Sequence, residues 1–359
     1  MDTSAREIFF DADGVCSFCR EFEKRCKHVI HADHAVQSQQ LDSLVKRVKR
    51  AGSGKQYDCV VGVSGGVDSS WVLVDVVRRG LRPLAVHMDN GWNSELAQNN
   101  IENLVRGLGV DLYTHVIDWE EYRGLMQGFF DADVIDIELL YDNAMLAVNY
   151  QQALRHQTRF MLSGTNSVTE GMTMPREWSW CKMDKRNIVH LGNRNGVRMR
   201  TFPSISTLGH IWNGSVRRRE WVWYLDYLPY NKAAAVEELQ KHYSYKPYPY
   251  KHYESIFTRF YQGYILPEKF GVDKRRLHLS SLIISGQMTR GEAVEVIKGI
   301  PYASKEALEA DKLYFLKKMG WTITQLDDYI QRPSKPHDDY RSEAWFFNLC
   351  RNLRDRLAR

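Results

Sequence analysis

Residues 64–70 combine flexible and hydroxyl-bearing residues in a pattern suited to binding phosphate. The sequence there is Ser-Gly-Gly-Val-Asp-Ser-Ser. Glycine lets a backbone turn tightly and approach a ligand closely, and serine hydroxyls donate hydrogen bonds. Where such a loop leads into a helix, the N–H groups of the first turn and the helix dipole also favour an anion. The pattern predicts an anion-binding loop; the alternative is an ordinary strand–turn–helix.

Asp68 is the unexpected member of this loop, because a bare carboxylate repels phosphate. A divalent metal between the two removes the conflict, since Mg²⁺ binds carboxylate and phosphate oxygens together. Two other phosphate motifs are excluded. The loop lacks the lysine of G-x-x-x-x-G-K-[ST], and it does not match the dinucleotide pattern G-x-G-x-x-G.

Alternating apolar and amphipathic stretches must position the loop. Residues 57–63 are apolar and rich in β-branched side chains, which is typical of a buried parallel strand. Residues 71–77 are apolar nearly all round and predict a buried helix. Further strands are predicted at residues 84–88, 112–117 and 159–162, with a fifth at 221–225. The order predicts an α/β fold with a doubly wound, mostly parallel sheet, in which ligands bind beyond the carboxyl ends of the strands.

Polar residues follow the second and fourth strands and should converge on the loop. Asp89 and Asn90 end the second strand, where nucleotide contact and an ordinary turn are the two explanations. Thr165, Asn166 and Glu170 follow the fourth strand. Substrate orientation, metal binding and helix capping all account for them.

Two charged clusters lie elsewhere in the chain. Asp136 and Glu138 are either carboxylates that bind Mg²⁺ or accept a proton from an amine, or the solvated start of a helix. Lys274, Arg275 and Arg276 form a basic cluster that would clamp a diphosphate, or a solvated face. Aromatic neighbours favour a ligand wall there: Tyr253, Phe257, Phe260 and Tyr261.

The composition is that of a globular protein. The chain has 359 residues, 43% of them hydrophobic, which is room for about two domains. No apolar run approaches ~20 residues and the start is not a signal peptide, so we expect a cytoplasmic protein without a membrane span. The net charge of +5 is too small and too spread out to predict a nucleic-acid surface.

The N-terminal region carries one C-x-x-C pair, Cys16 and Cys19, with Cys26 nearby. A structural zinc site needs four ligands, usually from two such pairs. Bound Zn²⁺ is therefore one interpretation, and free thiols on a solvated helix are the other. We expect a lead-in at residues 1–50, an α/β domain at 51–243 and a helical C-terminal domain at 244–359, divided near the proline–tyrosine string at 243–250.

Four strings make the chain resemble the N-acetyl sugar amidotransferases of bacterial surface-polysaccharide synthesis: residues 64–70, 89–96, 251–260 and 273–290. The first resembles the loop of the PP-loop ATP pyrophosphatase superfamily, whose sheet is HUP-like. The resemblance implies that ATP transfers AMP to an acetamido oxygen of a UDP-linked N-acetyl sugar, expected to be a 2,3-diacetamido uronic acid. Ammonia then forms an acetamidino group for lipopolysaccharide O-antigen. It implies a separate glutaminase subunit as ammonia source, often with a cyclase-like barrel subunit.

The resemblance and the predicted sheet together assign roles to individual residues. The residues expected to be catalytic are Asp68 and Glu170. ATP and Mg²⁺ are expected at Ser64, Gly65, Gly66, Val67, Asp68, Ser69, Ser70, His87, Met88, Asp89, Gly164 and Thr165. The sugar nucleotide is expected at Asn90, Trp92, Asn166, His252, Tyr253, Arg259, Lys274, Arg275, Arg276 and His278.

Two rival functions stay open. A tRNA-modifying thiolation enzyme of the same superfamily needs a sulfur-carrying cysteine, and Cys181 is the only candidate in the predicted core. A non-catalytic ATP-binding scaffold is disfavoured by the intact loop. Relatives usually carry a further C-x-x-C just before a string like the one at Met1, so either Met1 is internal to a longer protein or the first zinc pair is absent.

Overall fold

The computed structural model describes residues 1–248 and 253–357. Its centre is a sheet of five strands: β1 (Cys59–Gly62), β2 (Pro83–Asp89), β3 (Leu112–Val116), β4 (Phe160–Ser163) and β5 (Glu220–Trp223). The strand order is β3-β2-β1-β4-β5, and every neighbouring pair is parallel. Val61 of β1 pairs with Ala85 on one side and Leu162 on the other, so β1 is the central strand.

Helices precede the sheet and connect its strands. The first two are α1 (Ser17–Ile30) and α2 (His34–Gly52). The connections up to β4 contain α3 (Val67–Arg78), α4 (Glu95–Leu108), α5 (Trp119–Asp131) and α6 (Leu139–Arg155). Between β4 and β5 lie α7 (Ser167–Glu170), a 3-10 helix (Arg176–Trp178), α8 (Lys185–Arg194), α9 (Thr207–Ile211) and a π-helix (Trp212–Val216). A 3-10 helix (Tyr224–Tyr227) and α10 (Lys232–Tyr243) follow β5.

The helices cover both faces of the sheet. Cys59 and Val61 point into a core shared with α2, α3 and α4, whereas Val60 points into a core shared with α5 and α6. This alternation follows from the two-residue period of a strand. The predicted fold class, a doubly wound parallel sheet, is therefore confirmed.

The C-terminal region is helical and packs on the α5–α6 side. It contains α11 (Ile256–Phe260), a π-helix (Tyr261–Ile265), α12 (Leu266–Phe270), α13 (Arg275–Ile284), α14 (Arg290–Lys298), α15 (Lys305–Met319), α16 (Ile323–Gln331), a 3-10 helix (His337–Asp339) and α17 (Ala344–Leu357). Phe260 and Phe315 pack with ring centroids 5.0 Å apart, and Phe315 lies 5.7 Å from Phe130 of α5. Aromatic contacts thus join this region to the sheet.

The strand boundaries predicted from the sequence agree with the observed ones to within two residues at each end. The sequence predicts the fifth strand at 221–225, but the chain leaves the sheet after Trp223. The cause is Tyr224, which is fully buried and donates to Asp75 of α3 at 2.6 Å, so the backbone turns toward α3. Within the described residues, we find no helix with the length and apolarity required to span a bilayer.

Candidate active site

The loop between β1 and α3 is folded by its own hydroxyl groups. Gly66 is the N-cap of α3. The Ser64 N–H donates to Ser69 Oγ at 3.2 Å, and the Gly66 N–H donates to Ser64 Oγ at 3.3 Å. The hydroxyls of Ser69 and Ser70 donate to the Gly66 carbonyl at 3.2 and 2.8 Å. The serines hold a closed turn, beyond which α3 presents the N–H groups of its first turn, the geometry of an anion site.

Three glycines allow other segments to reach this turn. Gly65 has a φ of +82°, and a Cβ there would lie 2.7 Å from the Ala97 carbonyl of α4. A Cβ on Gly164, just after β4, would lie 2.6 Å from the Ser69 nitrogen. A Cβ on Gly66 would lie 3.2 Å from Glu254 Oε1. The chain after β4, helix α4 and the start of the C-terminal region therefore all meet at the loop.

Asp68 and Glu170, the two residues predicted to be catalytic, share a neighbour. The Tyr230 hydroxyl donates to the Asp68 carboxylate. Burial raises the pKa of Tyr230, and the negative charges of Asp68 and Glu170 raise it further. The phenol therefore stays protonated and acts as a donor. The acid of the loop thus contacts this phenol, and the charge of the acid of α7 acts on it.

The proline–tyrosine string near which the domain boundary is expected reaches the loop through its described residues, which end at Tyr248. The Tyr248 hydroxyl donates to the Gly65 carbonyl at 3.2 Å. Asn100 of α4 holds this string in place, because its amide donates to the Lys246 carbonyl and accepts from the Lys246 N–H, each at 2.9 Å. Sequence reasoning missed Tyr230, Tyr248 and Glu254 as neighbours of the loop. The alternation of proline and tyrosine was the one local signal that this string has a defined place.

Residues at the end of β2 lie beside the loop. His87 bridges two groups: Nδ1 lies 2.9 Å from the Val63 carbonyl and Nε2 lies 2.9 Å from Asn93 Nδ2. Burial lowers the pKa of His87, so the neutral ring donates to Val63 and accepts from Asn93. Met88 is buried, and Asp89 accepts from the Gly91 N–H at 2.8 Å.

A groove of about 550 Å³ adjoins this end of β2. His87 and Asp89 line it, together with Gln98 and Ile101 of α4 and Thr114 of β3. Its volume is within the range of small-molecule sites, and its lining combines apolar with polar groups. The groove therefore has the size and chemistry to take a nucleobase.

Asn90 and Trp92 are engaged within the protein. Asn90 Oδ1 accepts from the Trp92 N–H at 3.1 Å and Nδ2 donates to the Tyr122 hydroxyl at 3.4 Å. The Trp92 ring is fully buried, with its centroid 5.4 Å from that of Phe257. Both residues support the loop that follows β2.

Residues after β4 are ordered by capping. Asn166 is buried and caps α7, since its Oδ1 accepts from the Thr169 N–H at 2.8 Å while its Nδ2 donates to the Gly164 carbonyl at 3.1 Å. The Thr165 N–H donates to Ser163 Oγ at 3.1 Å. These bonds fix the path of the backbone from Gly164 to Glu170.

The basic residues 274–276 separate in space. Lys274 pairs with Glu138 at 2.5 Å. Arg275 pairs with Asp273 at 2.8 Å and also donates to backbone carbonyls at the end of α14. Arg276 pairs with Asp2. In the described structure each of the three cations thus has its own carboxylate partner.

The other predicted substrate residues of the C-terminal region lie in two places. His278 Nδ1 lies 3.1 Å from the Thr169 carbonyl, next to α7. Arg259 pairs with Asp311 and lies 5.3 Å above the Tyr253 ring, while the Tyr253 hydroxyl accepts from the Ala303 N–H at 2.9 Å. His252 lies outside the described residues.

The acids at 136–142 pair with two lysines, Lys182 and Lys274. Lys182 pairs with Asp136 at 2.7 Å and with Asp142 at 2.9 Å. Burial acts to raise the pKa of Asp136, but the ammonium groups of Lys182 and Lys274 outweigh it and hold that pKa below its usual value. The alternative of a solvated helix start does not hold for Asp136, which is 1% exposed.

The cysteines of the lead-in lie together at the start of α1. Cys16 Sγ lies 3.2 Å from Cys19 Sγ, and Cys26 is buried in the same helix. Burial raises the pKa of Cys19 to about 12. The part of the chain that the structure describes contains no group of three or more His, Cys, Asp or Glu side chains arranged for a metal ion, so a complete zinc site is not present there.

Comparison with known proteins identifies the C-terminal region. Residues 254–354 match the family model of the LPS biosynthesis protein WbpG-like, C-terminal domain. This match covers nearly all of the strings at 251–260 and 273–290, and its description agrees with the resemblance to proteins of bacterial surface-polysaccharide synthesis. No curated protein matches the chain.

Solved structures of two synthetases are also similar. NH3-dependent NAD synthetase from Campylobacter jejuni shares 11% identity over 84% of this chain and 98% of its own, with a TM-score of 0.35. NMN synthetase from Francisella tularensis shares 14% identity over 62% of this chain and 99% of its own, with a TM-score of 0.27. Because both likenesses are distant, a function for this chain must be argued from the geometry of the loop and from the family match.

Proposed function

We propose that this chain is an ATP-dependent ligase that converts the acetamido group of a UDP-linked N-acetyl sugar into an acetamidino group, with release of AMP and pyrophosphate. One observation carries the proposal. The segment that matches the lipopolysaccharide-biosynthesis domain begins at Glu254, and Glu254 lies against Gly66 of the anion-binding loop. The phosphate loop and the sugar-pathway domain therefore meet at one site.

ATP would occupy the loop and the groove beside β2. The first-turn N–H groups of α3 would bind the phosphates that leave as pyrophosphate. The groove lined by His87 and Asp89 would hold the base. The Tyr230 hydroxyl donates a hydrogen bond to the Asp68 carboxylate and so fixes its orientation. These groups are in place before the nucleotide binds, so little reorganisation is needed at the moment of reaction.

The residues fit a magnesium ion. Asp68 lies in the first turn of α3, so a carboxylate, the donor type that Mg²⁺ prefers, lies next to the position expected for the phosphates. Bound there, the ion would neutralise charge on the phosphates as the bond between the first and second phosphorus atoms breaks.

The proposed reaction has two steps. The acetamido oxygen attacks the α-phosphorus of ATP, pyrophosphate leaves and the amide nitrogen loses its proton, which gives an O-adenylyl imidate. Ammonia then attacks the imidate carbon, AMP leaves with its oxygen, and loss of a proton gives the amidine. An amide oxygen is a poor leaving group, and adenylylation makes it a good one. A separate glutaminase subunit would supply the ammonia.

Product analysis tests this proposal. We expect incubation of the protein with MgATP, an ammonium salt and a UDP-linked 2,3-diacetamido uronic acid to yield AMP and pyrophosphate in amounts equal to the amidine, measured by anion-exchange chromatography and mass spectrometry. Formation of ADP, or AMP release that does not depend on the sugar, would contradict it.

The thiolation alternative is less well supported. It requires a nucleophilic thiolate, and Cys181 is the candidate. Burial raises the pKa of Cys181 to about 11, which keeps the thiol protonated near neutral pH. We expect Cys181→Ser to leave AMP formation unchanged, and a loss of sulfur transfer to tRNA in that variant would favour the alternative.

A further inference from the structure

The carboxylate of Glu254 lies against the phosphate loop, although Glu254 belongs to the C-terminal region. Its Oε1 would lie 3.2 Å from a Cβ on Gly66, and Gly66 is the N-cap of α3 without a side-chain cap. Glu254 therefore lies next to the first turn of α3, where the phosphates of a bound nucleotide are expected.

The backbone of Glu254 is fixed by the loop after β2. The Ser94 N–H donates to the Glu254 carbonyl at 2.9 Å, and the Ile256 N–H donates to the Trp92 carbonyl at 2.8 Å. Asn93 and Ser255 form an antiparallel bridge between them. Ser94 in turn begins α4, since its hydroxyl accepts from the Ala97 N–H at 3.2 Å. The position of the carboxylate thus follows from the end of β2 rather than from a free surface loop.

The charge of this carboxylate acts on three buried or half-buried phenols, one of which, Tyr248, also contacts the loop. Burial raises the pKa of Tyr141, Tyr245 and Tyr248, and the negative charge of Glu254 adds to the shift in each. Asp68 contributes to the shift of Tyr245 as well. Asp68 and Glu254 therefore act on a common neighbour, Tyr245.

We infer that Glu254 is a further ligand, direct or through water, of the metal ion that accompanies ATP, so that the C-terminal region completes the metal site of the β1–α3 loop. The inference rests on the proposed function. Two acids beside a phosphate chain repel it unless a cation lies between them, and Mg²⁺ is bound in proteins by one or two carboxylates together with substrate phosphates. The competing explanation is that Glu254 mimics phosphate at the helix N-terminus of the nucleotide-free protein, and leaves when ATP binds.

The two explanations predict opposite effects of removing the charge. Titration calorimetry of the full-length protein with ATP, in excess Mg²⁺ and in excess EDTA, should compare wild type with Glu254→Gln. We expect Mg²⁺ to tighten ATP binding to wild type, and Glu254→Gln to reduce that tightening about 10- to 100-fold. Binding in EDTA should be unchanged or tighter, since a negative charge next to the phosphates is gone. If the variant binds MgATP as tightly as wild type, or more tightly, Glu254 is not a ligand.

A second readout follows the metal itself. With Mn²⁺ and ATP, wild type should remove the free-ion signal from the electron paramagnetic resonance spectrum at lower protein concentration than Glu254→Gln does. Glu295→Gln is the matched control, because Glu295 lies on an exposed face of α14 and pairs only with Lys298 among the contacts described. Glu254→Asp retains the charge and should fall between the two. If Glu254→Gln fails to fold, an aspartate variant with wild-type Mn²⁺ binding still overturns the inference.

The outcome is separable from that of the proposed function. If wild type binds no ATP under any condition, the proposed function fails and the metal role of Glu254 fails with it. If wild type binds MgATP and releases AMP while Glu254→Gln behaves as Glu295→Gln does, only the metal role of Glu254 fails.

Discussion

The loop at 64–70 and the basic segment at 273–278 are both suited to phosphate, but they are built in different ways. In the loop, the serine hydroxyls bond to the turn itself, and the donors left for a ligand are backbone N–H groups of α3. In the basic segment, Lys274, Arg275 and Arg276 are paired with carboxylates. A ligand at the loop can bind directly, whereas a ligand at the segment must first replace an acid, at the cost of separating an ion pair.

The largest effect is expected at Asp68, in the loop. Asp68→Asn keeps the shape and the Tyr230 contact but removes the charge. We expect AMP formation to fall about 10²- to 10³-fold, the range for one lost electrostatic contact to a transition state. The rate of sugar-dependent AMP release measures it. Asp131→Asn, on the exposed end of α5, is the control, and equal rates in both variants would place the metal elsewhere.

The next effect tests whether the basic segment binds ligand or stabilises the fold. Lys274→Met leaves the Glu138 carboxylate, whose side chain is 10% exposed, without its cation. We expect the free energy of unfolding to fall by roughly 3 kcal/mol, as measured by urea denaturation.

The double variant Lys274→Met with Glu138→Gln then separates the two roles. It should regain most of the stability, because no buried charge is left alone. A KM for the sugar nucleotide that stays raised in the double variant would assign Lys274 to the substrate; a normal KM would make it a structural partner of Glu138 and remove the segment from the site.

A smaller effect is expected from Gly66→Ala, which alters the loop without charge. The φ of Gly66 is −78°, so an alanine is not strained. Its Cβ would approach Glu254 Oε1 and Ser64 Oγ at 3.2 and 3.3 Å and displace them by a few tenths of an ångström. We expect the Kd for MgATP to rise roughly tenfold with little change in stability. Gly291→Ala in α14, where a Cβ would meet only Thr289 Oγ1 at 4.0 Å, should leave the Kd unchanged.

The smallest effect concerns acid stability and the buried pairs near the basic segment. The pKa of Asp136 is held below its usual value in the folded protein. Its contribution to stability is therefore present above the ordinary pKa of about 4, and is lost as the pH falls through the lower folded pKa. Urea denaturation between about pH 2 and 6 should show a flatter acid limb for Asp136→Asn than for wild type. Parallel curves would mean that the lysines do not stabilise this carboxylate.

The loop is predictable because its signals are local. An apolar, β-branched run, two glycines and a buried helix stand next to each other at 57–77, and each specifies its own geometry. Glu254 carries no such signal. Its contact with Gly66 depends on the bridge between Asn93 and Ser255, which are far apart in sequence. Nothing near residue 254 reveals which loop it will meet.

The contacts of the basic segment could not be predicted from its sequence. Its composition favours a diphosphate clamp, and that role stays a prediction for Lys274, Arg275, Arg276 and His278. Sequence cannot reveal that Arg275 donates to carbonyls at Val296 and Gly299, because carbonyls belong to every residue and leave no trace in the amino-acid pattern. The predicted fifth strand extends two residues too far toward the C-terminus. The observed strand ends early because Tyr224 contacts Asp75, a residue far away in the sequence.

The bridge between Asn93 and Ser255 joins a segment that is synthesised early to one that is synthesised late. All five strands and the phosphate loop leave the ribosome before Glu254 does, so a nascent chain can build the sheet while its nucleotide pocket still lacks that acid. If Glu254 is needed to bind the metal ion, a chain that ends before residue 254 would not cleave ATP. Such a chain would then not consume ATP in the absence of the sugar. The late arrival of one side chain would then act as a safeguard against wasteful turnover.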